Sequence, residues 1–269
     1  MKNVLTIAGS DSCGGAGIQA DLKTFSALGT YGMSVITAVT AQNTQGVVNV
    51  RELDAEIIRE QIDCLFEDIE IAAVKVGMVS NREIIGVIGE ALSRWSPPYV
   101  VIDPVMVSKS SCHLLQPEAK DELIKVLFPL ADLVTPNLSE AEVITGERIT
   151  TIEQMKRAAV TIQELGARTV VVKGGHLEGD AVEVLYAEGK FYYLEGKKIN
   201  TKNTHGTGCT FSSAIAAYLA RGCDLYEAVK RAKDYITEVI EHSLEIGHGV
   251  GPTNHFYRLY SKAGLFESV

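Results

Sequence analysis

The sequence predicts an α/β fold whose central sheet is mainly parallel, flanked by helices and bordered by an antiparallel edge hairpin. Short apolar runs rich in valine and isoleucine alternate with longer amphipathic stretches, which is the pattern of buried parallel strands joined by helices. The predicted strands are residues 4–8, 33–39, 72–76, 99–102, 133–135 and 169–172. The predicted helices include residues 16–28, 54–66, 82–95, 117–128, 152–165 and 209–221.

The edge hairpin is predicted in residues 181–198, where this alternation breaks. Two β-rich runs, residues 182–186 and 191–194, flank the turn sequence Glu188-Gly-Lys. A glycine between two such runs is typical of a tight hairpin turn. Because no linker, low-complexity segment or internal repeat interrupts the sequence, we predict one domain, residues 1–269. Folds of the α/β class often reach this size as a single unit.

Composition excludes several classes of partner. The chain carries a net charge of −9 and has no lysine- or arginine-rich run, so nucleic acid is not expected as a general partner. No apolar run approaches the ~18 residues of a membrane span, and the first residues lack the pattern of a secretory signal. The 5 cysteines are scattered without a C-x-x-C pair, which favours a reducing compartment. We therefore expect a soluble cytoplasmic protein.

A glycine turn before a helix of small residues, from Asn203 to Ala217, is the strongest local signal. Gly206 and Gly208 let the backbone direct its N–H groups towards one point, and the helix start adds unpaired donors and a positive dipole end. This combination favours an anion such as phosphate. Cys209 at the helix start is expected to have a lowered pKa. The alternative for this segment is a glycine turn leading into a tightly packed core helix.

A second glycine-rich loop follows the first predicted strand. Gly15-Ala-Gly-Ile-Gln-Ala20 fits the G-x-G-x-x-A dinucleotide pattern, but no acidic residue follows in residues 39–44, where that pattern requires one. The loop is therefore better suited to hold a small planar or sugar-like substrate against the backbone. Asp21 is either an acceptor for that substrate or a solvated carboxylate in the first helical turn. The Gln42 amide, which both donates and accepts, can pair with an aminopyrimidine edge, although taken alone Gln42 is equally an ordinary loop residue.

Charged and polar residues follow three further predicted strands. Asp103 ends one strand, Lys173 ends another, and Asn137 and Glu140 open a helix after a third. Asn137 and Glu140 have capping-box spacing, and their oxygens also suit the water shell of Mg²⁺. Lys173 is by default a solvated loop lysine, or alternatively a point charge for phosphate. With the glycine turn, these residues form a set suited to nucleotide-driven phosphoryl transfer, although the sequence contains no P-loop and no protein-kinase signature.

These motifs together identify a resemblance. The sequence resembles the hydroxymethylpyrimidine kinase/phosphomethylpyrimidine kinase family of thiamine biosynthesis, within the ribokinase-like superfamily. The most specific segments run from Gly14 to Phe25, from Val39 to Thr44, from Lys173 to His176 and from Lys202 to Thr210. The resemblance implies a ribokinase-like three-layer sandwich, ATP as phosphoryl donor, Mg²⁺, a small pyrimidine substrate and a homodimer.

The resemblance also implies a role for each matching residue. The implied substrate pocket comprises Ala16, Asp21, Gln42, Met78 and Val105. The implied phosphate cradle is the backbone of Gly206, Thr207, Gly208 and Cys209, with the Cys209 thiol as catalytic base in place of the aspartate of most ribokinase-like enzymes. Asp103, Asn137 and Glu140 would serve Mg·ATP, with Glu140 and Asp103 holding the ion through water, and Lys173 would bind the nucleotide phosphates.

The family phosphorylates hydroxymethylpyrimidine to its monophosphate and then to the pyrophosphate. The second acceptor is already a phosphate monoester, so we expect substitution of Cys209 to slow the first step more. Two alternatives stay open at this point. A pyridoxal kinase of the same branch keeps nearly all these motifs, although Gln42 favours the pyrimidine. A non-catalytic sensor on the same fold is disfavoured by the intact Lys173, Glu140 and Cys209.

Overall fold

The computed structural model describes residues 1–106, 114–175 and 181–266. Within these ranges the strands form one nine-stranded sheet in the order β3-β2-β1-β4-β5-β6-β7-β8-β9. The strands are Asn3–Asp11 (β1), Tyr31–Asn43 (β2), Gly46–Glu52 (β3), Ala73–Val76 (β4), Val100–Ile102 (β5), Leu133–Val134 (β6), Val170–Lys173 (β7), Ala181–Ala187 (β8) and Lys190–Gly196 (β9).

The centre of the sheet is parallel, as predicted. β2, β1, β4, β5, β6 and β7 pair in parallel along this order. The predicted edge hairpin is formed by β8 and β9, and β8 pairs antiparallel with β7. Its two-residue turn places Glu188 and Gly189 at positive φ, 51° and 73°, which matches the twist that short hairpin turns need.

Helices cover both faces of the sheet and produce three layers. The helices are Gly17–Ala27 (α1), Ala55–Asp68 (α2), Arg82–Trp95 (α3), Lys120–Glu122 (α4), Leu138–Thr145 (α5), Ile152–Glu164 (α6), Thr207–Ala220 (α7), Leu225–Glu241 (α8) and Tyr257–Lys262 (α9). On one face, α2, α3, α5 and α6 pack against alternate strand residues such as Leu5 and Ile7. On the other face, α1, α7 and α8 pack against residues such as Val4 and Val101. This alternation gives a parallel sheet two separate apolar cores.

The structure differs from the sequence prediction at the β2 edge and around α4. The strand predicted at residues 33–39 continues to Asn43 and pairs antiparallel with β3, a strand that we did not predict. Residues 117–128, predicted as one helix, form a short 3-10 turn, α4 and a π-helical turn at Leu123–Leu127. Pro129 follows within a 3-10 turn at Phe128–Leu130, and a proline interrupts the backbone hydrogen bonds of a regular helix.

The parallel strands place their carboxyl ends at one edge of the sheet, where open α/β folds bind ligands. β1 ends at Asp11, Asp103 follows β5 directly, and β7 ends at Lys173. The first turn of α7 reaches the same edge. Among the described residues, no helix is both long enough and apolar enough to cross a membrane.

Candidate active site

A cleft of about 260 Å³ opens at this edge of the sheet. It brings together residues that are far apart in sequence, because each follows a different strand or begins a helix. The predicted site residues that line it are Ala16, Gln42, Met78, Asp103, Val105, Asn137, Glu140, Lys173, Gly206, Thr207, Gly208 and Cys209. Of the predicted set, only Asp21 lies outside this lining. His176, at the end of one matching segment, lies outside the described residues.

The glycine turn before α7 is locked by close backbone packing. Gly206 has φ +78°, and a Cβ there would overlap the carbonyl oxygen of Gly15. A Cβ at Gly208 would lie 3.4 Å from both Asp103 Oδ2 and Lys173 Nζ. The turn therefore touches the first glycine-rich loop on one side and the charged strand ends on the other. Its first-turn N–H groups have no partner within the helix, which suits an anion between the two ends of the cleft.

The prediction that Cys209 has a lowered pKa is wrong for this structure. Burial of the thiol and the negative charges of Asp21 and Asp103 raise the pKa of Cys209 from 9.0 to about 11. Lys75 and the backbone N–H of Gly17, which donates to the sulfur, act in the opposite direction without reversing the shift. The helix start alone favours a thiolate, but burial of the thiol and, to a smaller extent, the carboxylates that the fold brings near Cys209 disfavour it. At neutral pH the resting side chain is a thiol.

The pH dependence of Cys209 alkylation is expected to reflect this raised pKa. A thiol whose pKa is higher in the folded protein than in the unfolded chain stays protonated to higher pH when folded. The modification rate in the folded enzyme should therefore keep rising from pH 9 towards about 11. Peptide mass spectrometry separates Cys209 from the other described free cysteines, Cys13, Cys64 and Cys223. A midpoint below pH 9 would contradict the electrostatic balance described here.

Asp21, which was predicted to hold the substrate, does not line the cleft and is fully buried. Its carboxylate oxygens lie 3.0 and 2.9 Å from Nζ of Lys75, which is also fully buried. Thr6 and Ser213 each donate a hydroxyl hydrogen bond of 2.6 Å to the same carboxylate. Burial alone would lower the pKa of Lys75, but the charges of Asp21, Cys209 and Asp103 raise it, so the lysine stays protonated. The alternative of a solvated carboxylate is wrong for the same reason.

Asp103 and Lys173 form a second, more accessible ion pair inside the cleft. Lys173 Nζ lies 2.8 Å from Asp103 Oδ1, and the side chains are 15% and 2% exposed. Thr135 donates to the same oxygen at 3.2 Å. Burial would lower the pKa of Lys173, whereas Asp103 and Glu140 raise it. The lysine is therefore a fixed positive charge beside the glycine turn, as the phosphate role requires.

Asn137 and Glu140 form the predicted capping box at the start of α5. The Asn137 side chain accepts from the Glu140 N–H at 2.9 Å, and Glu140 Oε2 accepts from the Asn137 N–H at 2.8 Å. Burial raises the pKa of Glu140 to about 7, with Asp103 adding to the increase and Lys173 opposing it. The ionised form of a carboxyl group that is buried near a second carboxylate is stabilised by a nearby cation. The capping role is thus confirmed, and it leaves the side chain inside the cleft.

The cleft is also lined by Ala16, Met78, Val105 and Gln42. Met78 is buried, and Ala16 and Val105 are partly buried, so they form mainly apolar walls. Gln42 lies within the extended part of β2, and its backbone N–H and carbonyl both bond to the Ser12 hydroxyl, at 2.9 and 2.8 Å. These bonds fix the backbone from which the Gln42 amide reaches the cleft.

Sequence reasoning missed two cleft residues, Asp11 and His205. His205 Nε2 lies 2.8 Å from Asp11 Oδ2, and the side chains are 10% and 4% exposed. The Asp11 carboxylate also accepts from the backbone N–H groups of Cys13, Gly15 and Ala16, at 2.9, 3.0 and 2.8 Å. The ligand atoms of Asp11, Cys13 and His205 lie within 4.8 Å of one another, but these hydrogen bonds already occupy the carboxylate. The pair therefore holds the first loop against the glycine turn.

Comparison with known proteins relates this chain to a group of kinases. A family model described as phosphomethylpyrimidine kinase matches residues 11–254. The hydroxymethylpyrimidine/phosphomethylpyrimidine kinase of Rhizobium meliloti is 54% identical over 258 residues, which cover 94% of this chain and 97% of that protein. A crystal structure of phosphomethylpyrimidine kinase from Clostridium difficile has a TM-score of 0.80 and 55% identity, covering 89% of this chain and 100% of the other.

A solved structure with lower sequence identity contains bound ligands. The pyridoxal kinase from Staphylococcus aureus in complex with AMP-PCP and pyridoxal has a TM-score of 0.89 and 38% identity. The match covers 96% of this chain and 94% of that one. The fold of the present chain is therefore shared with enzymes whose names assign them to pyrimidine and to pyridoxal phosphorylation.

Proposed function

The chain belongs to the phosphomethylpyrimidine kinase family, and we propose a role in phosphoryl transfer for each group of residues in its cleft. It has the ribokinase-like fold and is a hydroxymethylpyrimidine/phosphomethylpyrimidine kinase of thiamine biosynthesis, with ATP as a substrate. It forms the monophosphate and then the pyrophosphate of 4-amino-5-hydroxymethyl-2-methylpyrimidine. The observation that carries the proposal is the position of the Gly206–Gly208 turn, which contacts the Gly15 loop and the Asp103–Lys173 pair at once.

The pyrimidine binds at the Gln42 end of the cleft. Ala16, Met78 and Val105 supply apolar contacts for a planar ring, and the Gln42 amide supplies one donor and one acceptor. In this orientation the hydroxymethyl group points towards the glycine turn. The ring is thus held by its edge and faces, and its reacting oxygen is left free for transfer.

ATP presents its terminal phosphate to the opposite side of the same turn. Backbone N–H groups of the turn and the Lys173 ammonium stabilise the negative charge that spreads over the equatorial oxygens in the transition state. These donors are fixed before substrate binds, because Gly206 is wedged against Gly15. Little reorganisation is therefore needed during transfer, which is the main catalytic requirement of this chemistry.

Mg²⁺ fits the charged end of the cleft. Asp103 Oδ2 faces the space that a side chain at residue 208 would fill, and the Glu140 carboxyl lines the same cleft. Mg²⁺ prefers oxygen ligands and keeps several of its waters, so these carboxyl groups would hold it through water. When bound, the ion neutralises charge on the nucleotide phosphates. Asn137 keeps Glu140 oriented through the capping box.

Cys209 is proposed to take the proton from the hydroxymethyl oxygen as a thiolate, which the resting thiol forms by first losing its own proton to water. The Cys209→Ala variant should lower kcat of the first phosphorylation by ~10²-fold or more, within the usual range for a lost general base. The second phosphorylation should fall by a smaller factor, because its acceptor is a phosphate monoester that needs no such proton removal. Separate assays of both steps on one enzyme preparation check this difference. Equal losses in the two steps would contradict a base role for Cys209.

A Gln42→Leu variant tests the position of the pyrimidine. Leucine has a similar volume but neither donor nor acceptor, so KM for hydroxymethylpyrimidine should rise by ~10²-fold, in line with the loss of paired polar contacts in an enclosed site. KM for ATP should change by less than ~3-fold, because the nucleotide lies at the Lys173 end. Initial rates with each substrate varied in turn measure both constants. A rise confined to the KM for ATP would indicate that ATP, and not the pyrimidine, lies at Gln42.

Three further properties are proposed on the family resemblance. The chain folds as one domain, acts in the cytoplasm and forms a homodimer. The continuity of the sheet across the described residues supports the single domain, and sedimentation velocity tests the dimer. The pyridoxal kinase alternative has less support, since the pyrimidine kinases share 54% and 55% identity with this chain and the pyridoxal kinase 38%.

A further inference from the structure

A loop between α8 and α9 ties two walls of the cleft together. Residues 247–253, here called the strap, contact the turn between β2 and β3 at one end and the glycine turn before α7 at the other. Both turns line the cleft, and so does Val250 of the strap. The strap therefore joins the wall that carries Gln42 to the wall that is proposed to hold the transferred phosphate.

The first half of the strap holds the tip of the β2–β3 turn at Thr44. The Thr44 carbonyl oxygen accepts a hydrogen bond of 2.8 Å from the Val250 N–H, and the Thr44 hydroxyl accepts one of 3.1 Å from the Gly249 N–H. Gly249 packs so closely that a Cβ would overlap the Thr44 carbonyl oxygen and lie 2.8 Å from the Gln45 nitrogen. A glycine is needed for this approach of one backbone to another.

The second half of the strap holds the residue that leads into the glycine turn. The His205 N–H donates to the Gly251 carbonyl at 3.0 Å, and the Thr253 N–H donates to the His205 carbonyl at 3.4 Å. The Gly251 N–H donates to the side chain of Asn203 at 3.1 Å, and Asn203 is itself buried. Because His205 directly precedes Gly206, this end of the strap is fixed one residue away from the anion cradle.

The β2–β3 turn has little apolar support of its own. The structure describes all 7 residues of β3, and each is exposed or half-buried. A two-stranded ribbon of this kind is only marginally stable without an apolar face packed on the core. Ser12 holds the base of the turn through the backbone of Gln42, and the strap holds its tip. The position of this wall relative to the glycine turn therefore depends on the contacts at Thr44.

We propose that the strap is a positioning element for phosphoryl transfer, which sets the separation between the wall formed by residues 42–46 and the glycine turn. Thr44 and Gly249 are its positioning residues, and neither is proposed to touch the reacting atoms. The inference rests on the proposed binding of the pyrimidine at Gln42. Displacement of one wall by about 1 Å would misalign the hydroxymethyl oxygen with the phosphate, and a misplacement of that size can slow a reaction ~10²-fold.

Gly249→Ala tests the close contact at the tip of the turn. The φ of Gly249 lies outside the left-handed region, so the added methyl group acts by pushing the Thr44 backbone away. We expect kcat of the first phosphorylation to fall ~10-fold or more, while KM for ATP changes by less than ~3-fold because its binding is kept. Gly86→Ala is the matched control, since a Cβ there meets no described atom within 4 Å outside its own helix. Its kcat should stay within ~2-fold of wild type.

A second pair of variants applies even if Gly249→Ala fails to fold. Thr44→Val keeps the shape of the side chain but removes the acceptor for the Gly249 N–H. It should lower kcat by ~5-fold, the scale of one hydrogen bond. Thr44→Ser keeps the hydroxyl and should retain most of the activity. Equal losses in Thr44→Val and Thr44→Ser would contradict a role for this hydrogen bond.

Combination with Gln42→Leu separates positioning from a general structural effect. If the strap acts by placing the pyrimidine held at Gln42, its disruption costs less once that contact is gone. With either Gly249→Ala or Thr44→Val, the double variant should lose less kcat/KM for the pyrimidine than the product of the single losses, by ~3-fold or more. Losses that simply multiply, or an unchanged kcat in both strap variants, would overturn the inference. Failure of the wild type to phosphorylate hydroxymethylpyrimidine would instead contradict the kinase function itself.

Discussion

Replacement of Lys75 with methionine is expected to lower the free energy of unfolding by ~3–5 kcal/mol, the usual effect of removing one partner from a fully buried ion pair. Lys75 and Asp21 are both 0% exposed. Without the ammonium, the donors that the Asp21 carboxylate would keep among the described residues are the hydroxyl groups of Thr6 and Ser213. Because Ser213 lies on α7, one turn beyond Cys209, the loss also loosens the support beneath the glycine turn. Denaturant unfolding of wild type and variant measures the difference.

Two control variants test this prediction. The double variant Lys75→Met with Asp21→Asn removes both charges and should be less destabilised than Lys75→Met alone, since no buried charge is then left unpaired. Arg59→Met removes an exposed ion pair with Glu90, whose side chains are 43% and 66% exposed, and should change stability by less than ~1 kcal/mol. Equal effects of Lys75→Met and Arg59→Met would show that the buried pair has no special role.

The largest effect on activity is expected from Lys173→Met, which should lower kcat/KM for ATP by ~10²–10³-fold. Loss of one preorganised donor to a developing oxyanion has this magnitude in other enzymes. Lys173 also pairs with Asp103 at 2.8 Å, so its removal leaves the Asp103 carboxylate without this cation and facing the nucleotide phosphates. Steady-state rates with ATP varied at saturating pyrimidine measure the change.

Lys190→Met provides the matched control, because Lys190 is an exposed lysine at the start of β9 and lies outside the cleft lining. Its kcat/KM should stay within ~2-fold of wild type, as expected of a surface substitution away from the site. Lys173→Arg keeps the charge but replaces a compact ammonium with a planar fork, so partial activity is expected. Full activity of Lys173→Met would remove this residue from the phosphate-binding role.

The parallel centre of the fold could be predicted because buried strands leave continuous apolar runs in the sequence. β3 could not, because Val48 is 81% exposed and most of the strand has no buried face. Its residues pair with an extension of β2 beyond the core, so hydrophobic periodicity carries no signal for it. The edge hairpin was predictable from its glycine turn, and the helix at Asn137 from its capping-box spacing.

The site could be predicted where each residue follows its own strand, as for Asp103, Lys173 and the glycine turn. Interactions between distant elements could not be predicted in this way. Lys75 pairs with Asp21 across 54 residues, and His205 pairs with Asp11 across 194 residues. The pKa of Cys209 was predicted in the wrong direction for the same reason. The helix start was visible in the sequence, whereas the burial of the thiol, which is the main cause of the raised pKa, and the proximity of Asp21 and Asp103 arise only in the folded chain.

The most direct test of the kinase site is ADP release by the purified enzyme with ATP and Mg²⁺ and three acceptors in parallel. The acceptors are hydroxymethylpyrimidine, its monophosphate and pyridoxal. The account predicts turnover of both pyrimidine compounds, little turnover of pyridoxal, and loss of activity when the metal is chelated. A preference for pyridoxal would keep the fold and the phosphate site but contradict the role assigned to Gln42. Absence of ADP release with every acceptor would contradict phosphoryl transfer at this cleft.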